Sequence, residues 1–135
     1  MNITWLGHSC FLIESAGWRT VLDPYYVETY PALHVDADEV LCSHSHRDHA
    51  FLEAVTLSGR NRAASPFTVE TVSTFHDEKG GALRGENTIQ PVLERLRQNP
   101  KLDTVYLCLD NDDAGNDTCD RMTDTLEDMG LEVER

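Results

Sequence analysis

"LCSHSHRDHA", residues 41–50, places His44, His46, Asp48 and His49 within six positions, at the end of the strand-like run "EVLCS". In a tight loop leaving a strand, His44 and His46 alternate to the same side and reach one ion. Asp48 and His49 then turn toward a second ion a short distance away. Neutral imidazole with one carboxylate suits zinc, iron or manganese better than magnesium or calcium, which favour all-oxygen shells. One or two such ions lower the pKa of a bound water toward neutrality and polarise the bond under attack. The plainer alternative is a polar loop whose histidines only hydrogen-bond. It leaves four ligand-type side chains at this spacing without a reason.

Upstream, "NITWL", "CFLIE" and "RTVLD" are short β-prone runs separated by the turns "GHS" and "SAGW", the pattern of a meander. "EVLCS" is a further strand that feeds the His-rich loop. Downstream, "DHAFLEAV" carries apolar residues at Phe51, Leu52, Ala54 and Val55 and predicts a short helix opened by Asp48. "FTVETVSTF" alternates as a strand does. After residues 87–91 the pattern changes. "IQPVLERLRQNP" predicts a helix starting near Pro91, and "DTVYLCLD" reads as an apolar strand buried on both faces. "DTCDRMTDTLEDMG" predicts a helix with Cys119, Met122, Leu126 and Met129 along one stripe and Gly130 as its cap. "LEVER" begins another strand. The expected fold class is therefore a mixed α/β (α+β) chain: a β-rich part, residues 1–89, followed by an α-β-α-β part, residues 90–135.

Composition narrows the partners. The 135 residues carry a formal charge of −13, and 40% of them are hydrophobic. That is an ordinary folded mixture with a surface that repels phosphate backbones and anionic lipid. Direct nucleic-acid binding is not expected, and no run is long enough to span a bilayer. The four cysteines, Cys10, Cys42, Cys108 and Cys119, form no C-x-x-C pair, which favours a reduced, cytoplasmic setting. From Leu102 onward the acids outnumber the bases Arg121 and Arg135 many times over. Most of that excess reads as a solvated helix face.

"HSHRDH" resembles the metal-binding motif of the metallo-β-lactamase superfamily. "ITWLGHSCFLIES", "TVLDPY" and "FHDEKGGALRGENTI" resemble segments of its small metal-dependent hydrolase branch. The resemblance covers about residues 1–89 and implies the first half of an αββα sandwich. It implies His44, His46 and His76 on one metal and Asp48 and His49 on the other, with Asp48 as the catalytic residue that helps orient the attacking water. Asp23, in "LDP", takes a supporting position. His8 falls near the site in that pattern, while an isolated histidine such as His34 is ordinarily structural. The second half of the family fold supplies a bridging aspartate and a final histidine, and no histidine follows His76 here.

"YLCLDNDDAGNDTCDRMTDTLEDMG" is a separate case. Asp110 and Asp112, at i and i+2 beyond a strand end, form an oxygen-ligand pair suited to magnesium. Ala114 and Arg121 occupy positions an EF-hand would fill with ligands, so that reading fails. A haloacid-dehalogenase-type D-x-D has the wrong continuation, and a strand end with Asp and Gly as turn and N-cap residues is the plain alternative. The stretch resembles the Toprim domain of primases and topoisomerases, whose D-x-D motif continues as "DNDxAG". That resemblance, over about residues 90–135, implies magnesium on Asp110 and Asp112, with Gly115 allowing the close turn into the helix. The Toprim glutamate has no recognisable counterpart.

Three functions are thus in view. The leading one is a metal-dependent hydrolase with a zinc-type, incomplete dinuclear site acting on an unknown small molecule. In one version of it, Asp110 replaces the bridging aspartate. The others are a magnesium-dependent module of Toprim type and a non-catalytic fusion, truncation or chimera. A homodimer would cover the face that half a sandwich leaves exposed.

Overall fold

The computed structural model describes residues 1–72, 90–109 and 113–135. Three antiparallel strands, β1 (Asn2–Gly7), β2 (Cys10–Ser15) and β3 (Trp18–Leu22), form the expected meander. β4 (Val35–Ala37) follows, and then β5 (Glu39–Leu41) returns to lie parallel to β3, giving the order β1-β2-β3-β5. β4 pairs in parallel with β6 (Val55–Leu57) in a separate two-stranded sheet.

Alternation along β2 and β3 decides the inner face. Cys10, Leu12 and Val21 are buried and join Tyr25 and Ala37 in one core, with Leu6, Val27, Tyr30, Leu33, Val35 and Val55 packed around it. Burial pushes the Cys10 thiol up to about 12, with the Asp23 carboxylate adding to the shift, so Cys10 behaves as an inert apolar group. At the far end of the sheet, the buried carboxylate of Glu39 accepts from Thr20 Oγ1 at 3.4 Å and pairs with Arg62. The face of β1 and β2 carrying Ile3, Trp5 and Phe11 lines a cleft of about 310 Å³ shared with Tyr106, Leu107 and Cys108.

The last third forms α1 (Gln90–Arg97), β7 (Thr104–Tyr106), α2 (Asp113–Asp128) and β8 (Glu132–Glu134), with β7 and β8 parallel. The expected stripe is in place. Cys119, Met122 and Leu126 of α2 are buried against Leu93 and Leu107, with Met129 packed at the margin. α2 ends where Gly130 takes φ +82°; its amide donates to Glu127 O at 2.8 Å and the Leu131 amide to Leu126 O at 3.1 Å. That is the double bond of a Schellman cap, with Leu126 and Leu131 in the same apolar cluster.

Three expectations are corrected. The helix predicted over "DHAFLEAV" is a single 3-10 turn, Leu52–Ala54, because Val55–Leu57 is drawn into pairing with β4. Residues 67–72 of "FTVETVSTF" form no strand; there Glu70 instead grips Arg95 of α1 through two bonds of 2.5 and 2.6 Å. "DTVYLCLD" is not buried on both faces, since its three-residue strand has a single partner among the described residues and leaves Tyr106 47% exposed. Among the described residues no helix is long and apolar enough to cross a membrane.

Candidate metal centre

Three chain reversals meet at one edge of the four-stranded sheet. In the parallel pair, Leu22 lies opposite Leu41, and the Asp23 amide donates to Leu41 O at 2.9 Å. Asp23 and Ser43 therefore leave their strands side by side, at the carboxyl ends where parallel strands place their sites. Phe11 lies opposite Leu22, so the β1–β2 turn, His8 and Ser9, arrives at the same edge. The His-rich loop is anchored there by backbone bonds. Tyr26 donates to Arg47 O at 3.1 Å, Phe51 to Pro24 O at 2.7 Å and His49 to His46 O at 2.9 Å.

Two of these reversals use a backbone that side chains rarely adopt. His8 has φ +50° and Asp23 φ +45°, conformations that cost on the order of 1–3 kcal/mol outside glycine and that cluster at functional sites. Gly7 before them has φ +118°, and a Cβ there would meet the Tyr25 hydroxyl at 2.7 Å. That hydroxyl lies 3.2 Å from the carbonyl oxygens of both Leu6 and Pro31. Trp5 Nε1 donates to His8 O at 2.7 Å and fixes the turn from its other side.

The ligand-type side chains of the loop lie close together. One donor atom from each of His44, His46 and Asp48 lies within 4.8 Å of the others, and a second such group joins His8, Asp48 and His49. Asp48 belongs to both groups. Two donors on one zinc ion sit about 3.4 Å apart for bonds near 2.1 Å, so small side-chain rotations bring either group to bonding geometry. The rings of His44 and His49 are 4.1 Å apart, and those of His44 and His46 4.8 Å. Burial, reinforced by His49 and His46, holds the His44 imidazole below its ordinary pKa. It thus keeps the neutral, metal-ligating form to lower pH.

Behind these side chains stands a set of orienting groups. His49 Nδ1 lies 3.0 Å from Asp23 Oδ2, and its Nε2 is 3.8 Å from Asp48 Oδ2. A carboxylate on one imidazole nitrogen fixes the tautomer and leaves the other nitrogen as a donor to metal. Asp23 in turn accepts from the Ser43 amide at 2.6 Å and the Ser43 hydroxyl at 2.7 Å, tying the His44 end of the loop to the same carboxylate. Ser9 Oγ lies 2.9 Å from His8 Nδ1 and 3.0 Å from His49 Nδ1.

His44, His46, Asp48, His49 and Asp23 are therefore gathered at one place, and His34 is exposed and in neither ligand group. Gly115 lies in the first turn of α2 rather than in the turn leading to it. His76, Asp110 and Asp112 lie outside the described residues, as do residues 87–89 of the boundary expected near 87–91. Ser9 and Ser43 were not singled out from the sequence, where only their places in "GHS" and "CSH" could have drawn notice. His8 gave a weak signal there, and its place in a ligand group comes from the geometry.

A family model described as "Beta-lactamase superfamily domain" matches residues 2–95. The chain belongs to this superfamily. A Toprim-like family model matches residues 70–135, so the two overlap across residues 70–95. Among curated relatives, a UPF0173 metal-dependent hydrolase of Herpetosiphon aurantiacus is 40% identical over 81 residues, covering 53% of this chain and 32% of its own. Another from Opitutus terrae is 43% identical over 53 residues, covering 36% and 23%. A third, from Nanoarchaeum equitans, is 40% identical over 63 residues, covering 47% and 26%. The chain thus spans about a quarter to a third of the length of these relatives. No solved structure matches it.

Proposed function

We propose that the sheet edge formed by β1–β2, β3 and β5 is the metal-binding half of a hydrolase site, within the first half of an αββα sandwich. One observation carries the reading: donors from His44, His46, Asp48 and His49 converge beside a carboxylate, Asp23, that holds His49 in a ligating tautomer. The imidazole-rich donor set suits zinc, iron or manganese. The relatives named metal-dependent hydrolases agree with it.

When bound, such an ion supplies a Lewis acid and lowers the pKa of water to near 7. His44 and His46 would hold one ion, with His76 as the further ligand, and Asp48 with His49 would hold the other. Asp23 keeps the proton on His49 Nδ1. Asp48, half-exposed and common to both groups, accepts a hydrogen bond from the attacking water and orients it toward an ester, amide or phosphoester of a small molecule.

Native mass spectrometry of protein purified without added metal tests this. One or two transition-metal ions per chain are expected, with loss of at least one in His46→Ala; His46 is exposed, so the substitution spares the core. A chain that binds no zinc, iron or manganese and melts identically with and without them would refute the reading.

The Toprim-like match over residues 70–135 favours a second activity for the other end. In that reading Asp110 and Asp112 bind magnesium and Gly115 opens α2. Magnesium-dependent DNA retention lost in Asp110→Asn would support it, and no retention at low salt would end it.

A further inference from the structure

We infer that His8 is a metal ligand, completing with Asp48 and His49 a second cation site in this chain. The inference rests on the reading of the His-rich loop as a metal centre. His8, Asp48 and His49 each offer a donor atom within 4.8 Å of the others, and all three are half-buried. The His8 ring stands edge-on to the His49 ring, with centroids 5.1 Å apart. Its position is heavily constrained. The backbone is held at φ +50° between Gly7 and the Trp5 indole, and the ring contacts Tyr25 and Tyr30 at 6.1 and 5.9 Å. This enclosure fixes the imidazole beside His49.

The hydrogen bonds leave the right atoms available. Ser9 Oγ has two lone pairs and lies within 3.0 Å of Nδ1 on both His8 and His49. With His8 Nδ1 donating to Ser9 Oγ and His49 Nδ1 to Asp23, each ring keeps its Nε2 lone pair for a cation. One serine and Asp23 thus set the tautomers of two histidines. Two imidazoles and one carboxylate match a zinc-type shell with a fourth position open. His8 thus brings a second imidazole to Asp48 and His49 from the β1–β2 turn.

The test uses the whole 135-residue chain, stripped with chelator and titrated with cobalt(II) and zinc(II). It reads stoichiometry by calorimetry and ligand number by the visible cobalt spectrum. His8→Gly is the informative variant, because glycine adopts φ near +50° freely and so removes the imidazole without adding backbone strain. Two sites are expected in the parent chain. In His8→Gly one should weaken by at least the roughly 10–100-fold seen when lesser, outer-shell contacts are lost, with the thermal transition of the metal-free protein unchanged or raised. His8→Asn, which also tolerates the turn, should weaken the same site. If the parent binds metal and both variants match it in stoichiometry, affinity and spectrum, His8 is not a ligand and the loop reading stands alone. If the parent binds no metal, the loop reading itself fails and the His8 inference with it.

Discussion

Around the sheet edge of residues 1–72, side chains far apart in sequence are fixed by polar bonds: Ser9 to His49 across 40 positions, Ser43 to Asp23 across 20. In residues 90–135 the packing is almost wholly apolar, a stripe of α2 and two leucines of α1 over one pair of three-residue strands. The first arrangement accepts left-handed backbone at His8 and Asp23 to aim side chains. In the second, the one left-handed residue among those described, Gly130, ends a helix. The contrast separates a region organised around chemistry from one whose described residues are organised around packing.

The largest expected effect strikes the packing region. Leu126 is fully buried on the stripe, and Leu126→Ala should destabilise the chain by about 2–5 kcal/mol. Denaturant unfolding measures it. If the comparison holds, metal affinity at the His-rich loop should stay within twofold of the parent under native conditions. A parallel collapse of metal binding would show that the two regions fold as one unit.

Asp23→Asn strikes the other side. Asparagine tolerates φ near +45° and keeps a bond to the Ser43 amide, so the substitution isolates the loss of charge behind His49. Metal affinity should fall roughly 10–100-fold, equivalent to about 1.4–2.7 kcal/mol. Titration calorimetry with zinc reads it directly. An unchanged affinity would mean that His49 does not ligate through the tautomer Asp23 enforces.

Much of this is legible in the sequence. The strands "NITWL", "CFLIE" and "RTVLD" announce themselves because each is long enough to show a period of two, and the α2 stripe because it runs for about three turns. The three-residue strands β4 and β6 carry no period, and their pairing arises only once β5 has set the chain's direction. That is why "DHAFLEAV" reads as a helix. The ligand-type side chains of the loop are legible from local spacing. The convergence of Ser9, Ser43 and His8 on that loop is not, because it depends on β1–β2, β3 and β5 ending at one edge, a property of register. "DTVYLCLD" misleads for the opposite reason: its apolar run is real, but a two-stranded sheet cannot cover both faces.

Gly130→Ala is a smaller perturbation. Nothing lies within 4 Å of a Cβ placed there, so the cost is conformational alone, about 1 kcal/mol, seen as a lower denaturation midpoint with unchanged slope.

The smallest effect joins the two regions. Arg95 of α1 donates to both oxygens of Glu70, and these hydrogen bonds, followed by the guanidinium charge, hold the carboxyl below its ordinary pKa. A carboxyl with a depressed folded-state pKa contributes stability above its unfolded value of about 4.3, and that contribution fades as the pH falls through the folded value. Both partners are about half exposed, so water and salt screen the pair. Glu70→Gln should therefore lower the melting temperature slightly at pH 7 and low salt. The difference from the parent should vanish in 1 M salt and again well below pH 4. A difference that persists in both conditions would mean that Glu70 holds α1 through packing rather than charge, and that the contact between the two regions resembles the apolar packing of residues 90–135.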